Sequence, residues 1–145
     1  MPIRFLMRQT KTKQTASEAV GDLILRVAVG LTMAFGHGLG KIPPADRFIE
    51  AVGNLGFPAP HFFAWCATGA EFLGGLFLAA GFLTRPAAAS VAFTMAIAAF
   101  FQHAADPFQK KELALIYLAI ALFYLLNGAG KFSIDALCQK NRKAR

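Results

Sequence analysis

The residues from Phe62 to Leu83, FFAWCATGAEFLGGLFLAAGFL, make 22 positions of almost unbroken apolar character with a single carboxylate, Glu71, inside. A run of this length closes off most alternatives. About 20 residues at roughly 1.5 Å each cover the ~30 Å hydrocarbon core of a bilayer, so the run predicts a membrane-spanning helix. A charged residue near its centre costs roughly 2.5 to 3.5 kcal/mol on insertion scales. Glu71 therefore needs a partner, a proton or a cavity.

Three further apolar runs accompany it, at about 22–40, 86–105 and 113–127, and together the four hold most of a hydrophobic content of 56%. Soluble domains have ~45 to 50%. The expected architecture is all-α: a bundle of four transmembrane helices filling residues 21–137, between a basic N-terminal arm at 1–20 and a basic tail at 138–145. Between the first two spans, Pro43 and Pro44 open and Gly53, Gly56, Pro58 and Pro60 close a helix of about two turns. Its apolar side, Phe48, Ile49 and Val52, predicts an interfacial element over the mouth of the bundle. Thr84, Arg85 and Pro86 leave so short a turn that the second and third spans must be antiparallel neighbours. Glu18, Asp22 and Arg26 interrupt the N-terminal pattern that a cleaved secretory signal would show, so the first run is expected to be retained as a span.

The net charge of +7 sits largely at the two ends. With both termini inside, ten basic residues lie on the inner side against Lys41, Arg47, Lys110 and Lys111 outside. That asymmetry places both termini in the cytoplasm, and it explains the charge through topology and attraction to anionic lipid. No nucleic-acid-reading motif accompanies it, so no nucleic-acid partner is expected. Cys66 and Cys138 have neither disulfide nor metal-ligand spacing and fall on opposite sides of the bundle in this topology, and no metal site is expected.

Candidate chemistry is confined to a few polar residues inside the spans. Arg26 and His37 are 11 positions apart, ~20° from three full turns, so with Gly30, Met33 and Lys41 they are expected along one face of the first helix. Arg26 lies roughly 7 Å and Glu71 roughly 18 Å from the inner face, a gap two long side chains can close. The residues allow a structural ion pair fixing helix register, or a proton or quinone-headgroup site. His37 and His103 fall at similar depth, about 24 to 25 Å from the inside. They suit a quinone carbonyl, or polar helix ends; no further ligand pattern supports haem. Tyr117, Ala121, Tyr124 and Gly128 recur on one face of the last span and predict its bundle-facing side. The candidate polar interior is thus Arg26, His37, Lys41, Glu71, His103 and Tyr117, and no complete catalytic motif is present.

Arg26, the GHGLGK run from Gly36 to Lys41, the spaced pattern from Glu71 through Gly74 and Gly75 to Thr84 and Arg85, and NGAGKFSID from Asn127 to Asp135 together resemble the DoxX family. The resemblance covers roughly residues 20 to 137. It implies a small bacterial or archaeal four-helix protein of the plasma (inner) membrane. Some members are associated with thiosulfate and quinone oxidoreduction or with membrane oxidoreductase complexes. The function so implied is a subunit supporting membrane oxidoreduction, with a quinone as cofactor class and a membrane oxidoreductase as partner. A non-catalytic assembly protein and a proton or small-solute pathway are the alternatives.

Overall fold

The computed structural model describes residues 14–143, all of them helical or connecting, with no strand among them. Residues 1–13, most of the expected basic arm, lie outside the described residues. The first helix, α1, starts at Ala16 rather than near 22. Its start is fixed by a capping box: the Thr15 hydroxyl accepts from the Glu18 N–H and the Glu18 carboxylate accepts from the Thr15 N–H. After Leu31 the helix widens into a π-helical stretch, Thr32–Gly38, and tightens into a 3₁₀ turn, Leu39–Lys41, which gives one rod of 26 residues. Thr32 is placed to start the change, since its hydroxyl donates to both Ala28 O (2.8 Å) and Val29 O (3.1 Å). Glycines at 36, 38 and 40 then offer little resistance to a departure from α-helical geometry.

Short helix α2, Asp46–Asn54, buries Val52 and packs on α3, Pro60–Ala80. Pro60 occupies the first turn of α3, where its missing N–H has no helical partner to lose. Gly81 ends it at φ 66°, with Phe82 N–H returning to Phe77 O at 2.9 Å. Helix α4, Thr84–Ile97, extends through a π-helical segment, Ala98–Gln102. Helix α5, Phe108–Asn127, packs along α4, and α6, Ile134–Lys143, closes the described chain. The three rods Ala16–Lys41, Pro60–Ala80 and Thr84–Gln102 are long and apolar enough to cross a membrane. The start of α5 carries Lys110, Lys111 and Glu112, which separates it from those three.

Small residues set how closely the rods approach. A Cβ on Gly30 would sit 2.6 Å from Gly75 O, and one on Gly75 would sit 2.8 Å from Gly30 O, so α1 and α3 cross backbone to backbone. Gly36 and Gly40 face open space, whereas Gly38 meets the Phe72 backbone. Met33, Val91, Met95, Tyr117 and Ala121 form one buried cluster and Leu78, Ala88 and Tyr124 another. The last helix therefore buries Tyr117, Ala121 and Tyr124 on one face, as its spacing predicts. Phe35, Phe100, Phe101 and Leu126 project outward, each more than half exposed. An exterior this apolar is the one that lipid requires.

Candidate functional site

Two polar regions lie within the bundle, and each contains one of the charges singled out in the sequence. The first surrounds Arg26, which is 1% exposed. Its guanidinium donates to Leu78 O (3.0 Å), Ala79 O (2.7 Å) and Phe132 O (2.6 Å). Leu78 and Ala79 end α3, so the cation meets the last carbonyls at the negative pole of that helix, of which Leu78 O also accepts from the Gly81 N–H. Gly81 is required twice over: its φ is positive, and a Cβ there would lie 2.3 Å from the guanidinium. Asp135 serves the facing helix end in the opposite sense. Its carboxylate accepts from Leu83 N–H (2.9 Å), Thr84 N–H (3.0 Å) and the Thr84 hydroxyl (2.8 Å), while its own N–H donates to Gly81 O (2.9 Å). Tyr124 OH donates to Asp22 O at 2.9 Å, and the Gln14 amide donates to the Asp22 carboxylate. The result is a clamp at the α3–α4 turn, with one charge meeting the end of α3 and the other the start of α4.

The second region holds Glu71, whose two carboxylate oxygens both accept from the Lys41 ammonium, at 2.7 and 2.6 Å. Glu71 is eleven residues from Pro60 and nine from Ala80, about 16 and 14 Å from the two ends of α3, so the ion pair sits near mid-helix. Lys41 also lies 5.1 Å from the ring centroid of Phe48 on α2, within cation–π range. Glu71 keeps only 4% of its side chain exposed and Lys41 keeps 34%. What Lys41 faces is a cavity of about 440 Å³ walled by Phe48 and Val52 of α2, Phe63, Cys66 and Ala70 of α3, and Phe93, Thr94 and Ile97 of α4. Gln102 and His103 stand at its rim. Volumes of 300 to 1,000 Å³ with mostly apolar walls and a few polar groups are typical of small-molecule sites.

The expected pairing of Arg26 with Glu71 is not the one formed. Carbonyls at the end of α3 lie at the depth of Arg26 and accept from its terminal N–H groups, leaving its buried Nε without a partner, and Lys41 comes closer to Glu71. The two expected histidines likewise part company. His37 packs edge-on against Tyr117, ring centroids 5.4 Å apart, and is not among the cavity residues. His103 lines the cavity and bonds Asp106 at 2.7 Å. That hydrogen bond holds the exposed Asp106 carboxyl below its ordinary pKa. Of the positions expected along one face of the first helix, Met33 and His37 both meet Tyr117, Gly30 packs against α3, Arg26 reaches the end of α3 and Lys41 reaches Glu71. Of the six candidates, Lys41, Glu71 and His103 share the cavity, whereas Arg26 belongs to the clamp and His37 and Tyr117 to the packed side of α5.

Sequence reasoning left Asp135 without a role, since its partners are 51 and 52 positions away. The Thr15–Glu18 capping box, by contrast, was present in the sequence as a signal for the true start of α1. Among the described residues, no three His, Cys, Asp or Glu side chains are grouped to hold a metal ion.

A family model described as DoxX matches residues 21–104. The chain is 28% identical over 125 residues to a Bacillus subtilis (strain 168) protein named "Putative oxidoreductase CatD", covering 86% of this chain and 91% of the relative. It is 31% identical over 135 residues to a Haemophilus influenzae "Uncharacterized protein", covering 88% and 89% of the two chains. No solved structure matches at a comparable significance.

Proposed function

This chain belongs to the DoxX family, whose members are small membrane proteins, and from that premise we propose that it is a subunit supporting membrane oxidoreduction by holding a quinone-class molecule in the cavity beside Lys41 and Glu71. The observation that carries this is the ion pair itself, set in an apolar wall near mid-helix with the lysine half of it turned to the cavity. An ammonium has three N–H donors. Two point at Glu71, which leaves one for the carbonyl of a ligand. Phe48, Phe63 and Phe93 give ring-sized apolar surface, and His103 offers a second polar contact at the rim. Neutrality of the pair favours an uncharged ligand over an anion, which Glu71 would repel.

A bound quinone would supply two-electron redox capacity. Lys41 would orient its carbonyl, and the aromatic walls would exclude water. The oxidoreductase in the name of the Bacillus relative agrees with this role. The chain is expected to cross the membrane four times, α5 being the fourth span, with α2 as an interfacial element that roofs the cavity. Both termini then face the cytoplasm of a bacterial or archaeal plasma membrane, and a membrane oxidoreductase is the expected partner. The four basic residues of the arm, Arg4, Arg8, Lys11 and Lys13, support that orientation.

The test is extraction of the protein purified in mild detergent. Near-stoichiometric quinone from the natural chain, and little from Ala70→Trp, which fills the cavity, is the expected result. Copurified partners with no bound small molecule would favour the assembly role instead, and pH-dependent flux in liposomes would favour a proton or solute pathway.

A further inference from the structure

Helix α6 departs from the rest of the bundle in carrying its apolar residues outward on one side beside its basic ones. Phe132, Ile134 and Leu137 are 46%, 41% and 62% exposed. Positions 134, 137, 138 and 141 fall on one helical face, and Ile134 and Leu137 head it. Lys131, close to Phe132, and Lys140, next to Leu137 around the helix, are exposed. Arg142, Lys143 and Arg145 continue the basic series in the sequence. The helix has one acidic residue, Asp135, and it is turned inward, 1% exposed and fully engaged with Leu83 and Thr84. The outward surface is therefore positive, with no carboxylate of its own to balance it.

An apolar stripe flanked by lysine and arginine is the surface by which a helix lies in a membrane interface, the apolar side chains entering the acyl boundary and the cations meeting phosphate groups. Position supports the same occupant. Only the six residues 128–133 separate α6 from the end of α5, and Asp135 ties it to the α3–α4 turn, so it is held at the level where the apolar rods end. A protein partner would need a wider uncharged patch, whereas alternating apolar and cationic residues match a bilayer surface. We propose that α6 docks on the anionic phospholipid surface of the membrane the chain is embedded in, through Ile134 and Leu137 in the acyl boundary and Lys131 and Lys140 on lipid phosphates.

The experiment uses the full chain in nanodiscs, with an environment-sensitive fluorophore on Asn141→Cys in a Cys66→Ser, Cys138→Ser background; Asn141 is exposed on the apolar side. In discs containing one-third phosphatidylglycerol the emission should shift to the blue relative to pure phosphatidylcholine discs, and 0.5 M salt should reverse the shift. Lys131→Gln and Lys140→Gln should each lower the ratio of docked to free helix about fivefold, the effect of one basic residue near an anionic surface. Leu137→Gln should reduce the shift in both lipids, which separates the apolar contribution from the electrostatic one. A melting temperature unchanged by these variants ensures that the fold is intact. Identical emission in both lipid compositions, or a shift indifferent to salt and to both lysines, would overturn the proposal.

Discussion

The Arg26 clamp and the Lys41–Glu71 cavity both bury charge in an apolar bundle, yet they do so in opposite ways. Around Arg26 the charge meets backbone: two carbonyls of α3, one of the C-terminal segment, and beside them an aspartate occupied by the start of α4. Most of these groups are engaged in ending and starting helices, with the Arg26 Nε left unpartnered. Around Glu71 the charge meets one side chain, Lys41, at the edge of about 440 Å³ of space. A buried charge in a membrane span is a functional candidate by default. The two charges differ in what lies around them, helix-end backbone in one case and a cavity in the other.

The largest expected effect falls on the clamp. Arg26→Leu leaves Ala79 O and Phe132 O without this donor and Leu78 O with the Gly81 N–H alone, and should lower stability in detergent by about 3 to 5 kcal/mol, enough to remove most folded protein from the membrane. Arg26→Lys keeps the charge but not the fork, and should recover only part of the loss. Asp135→Asn is milder, about 1 to 3 kcal/mol by denaturant unfolding, since the amide oxygen can still accept one of the three bonds. If instead Asp135→Asn removed ligand and left stability intact, the clamp would have to be reassigned as a site.

The cavity pair predicts a different pattern. Lys41→Met and Glu71→Gln singly should each cost about 2 to 4 kcal/mol, whereas the double variant should return close to the natural stability because no uncompensated charge remains. Arg26→Ala and Glu71→Ala should by contrast add, since Glu71 lies seven residues, about 10 Å, from the carbonyls that Arg26 holds. Non-additive loss in that pair would restore the direct contact the sequence suggested. The smallest effect belongs to the rim. The folded-state pKa of Asp106 is lowered, so its contribution is present above the ordinary carboxylate pKa and disappears as pH falls through the lowered value. A slight melting shift confined to that acid range, absent in Asp106→Asn, is the expected readout.

Much of the fold was legible in the sequence because it rests on local signals. Run length gave the long apolar rods, and the spacing of Tyr117, Ala121 and Tyr124 gave the buried side of α5; the short hairpin connection was also expected, but it lies at 81–83, and Thr84, Arg85 and Pro86 instead open α4. The site was less legible, for two physical reasons. A periodicity argument assumes a uniform helix, whereas the first rod is π-helical from Thr32 and 3₁₀ at its end, so spacing alone does not give the reach of Lys41 to Glu71. A search for partners of Arg26 also considered side chains and passed over backbone carbonyls, which bear no mark in a sequence. Lys41 was among the candidates but without its partner, because pairing across 30 positions depends on how far α1 runs before it turns. Asp135 shows the same limit from the other side.

The account stands on the division between a clamp that only holds and a cavity that binds. Its most direct test is titration of a short-chain quinone into the purified protein in nanodiscs, comparing the natural chain with Lys41→Met and Asp135→Asn at a temperature where all three are folded. The account predicts binding to the natural chain, affinity at least tenfold weaker for Lys41→Met, and unchanged affinity for Asp135→Asn despite its lower melting temperature. Unchanged affinity in Lys41→Met together with loss of binding in Asp135→Asn would contradict it.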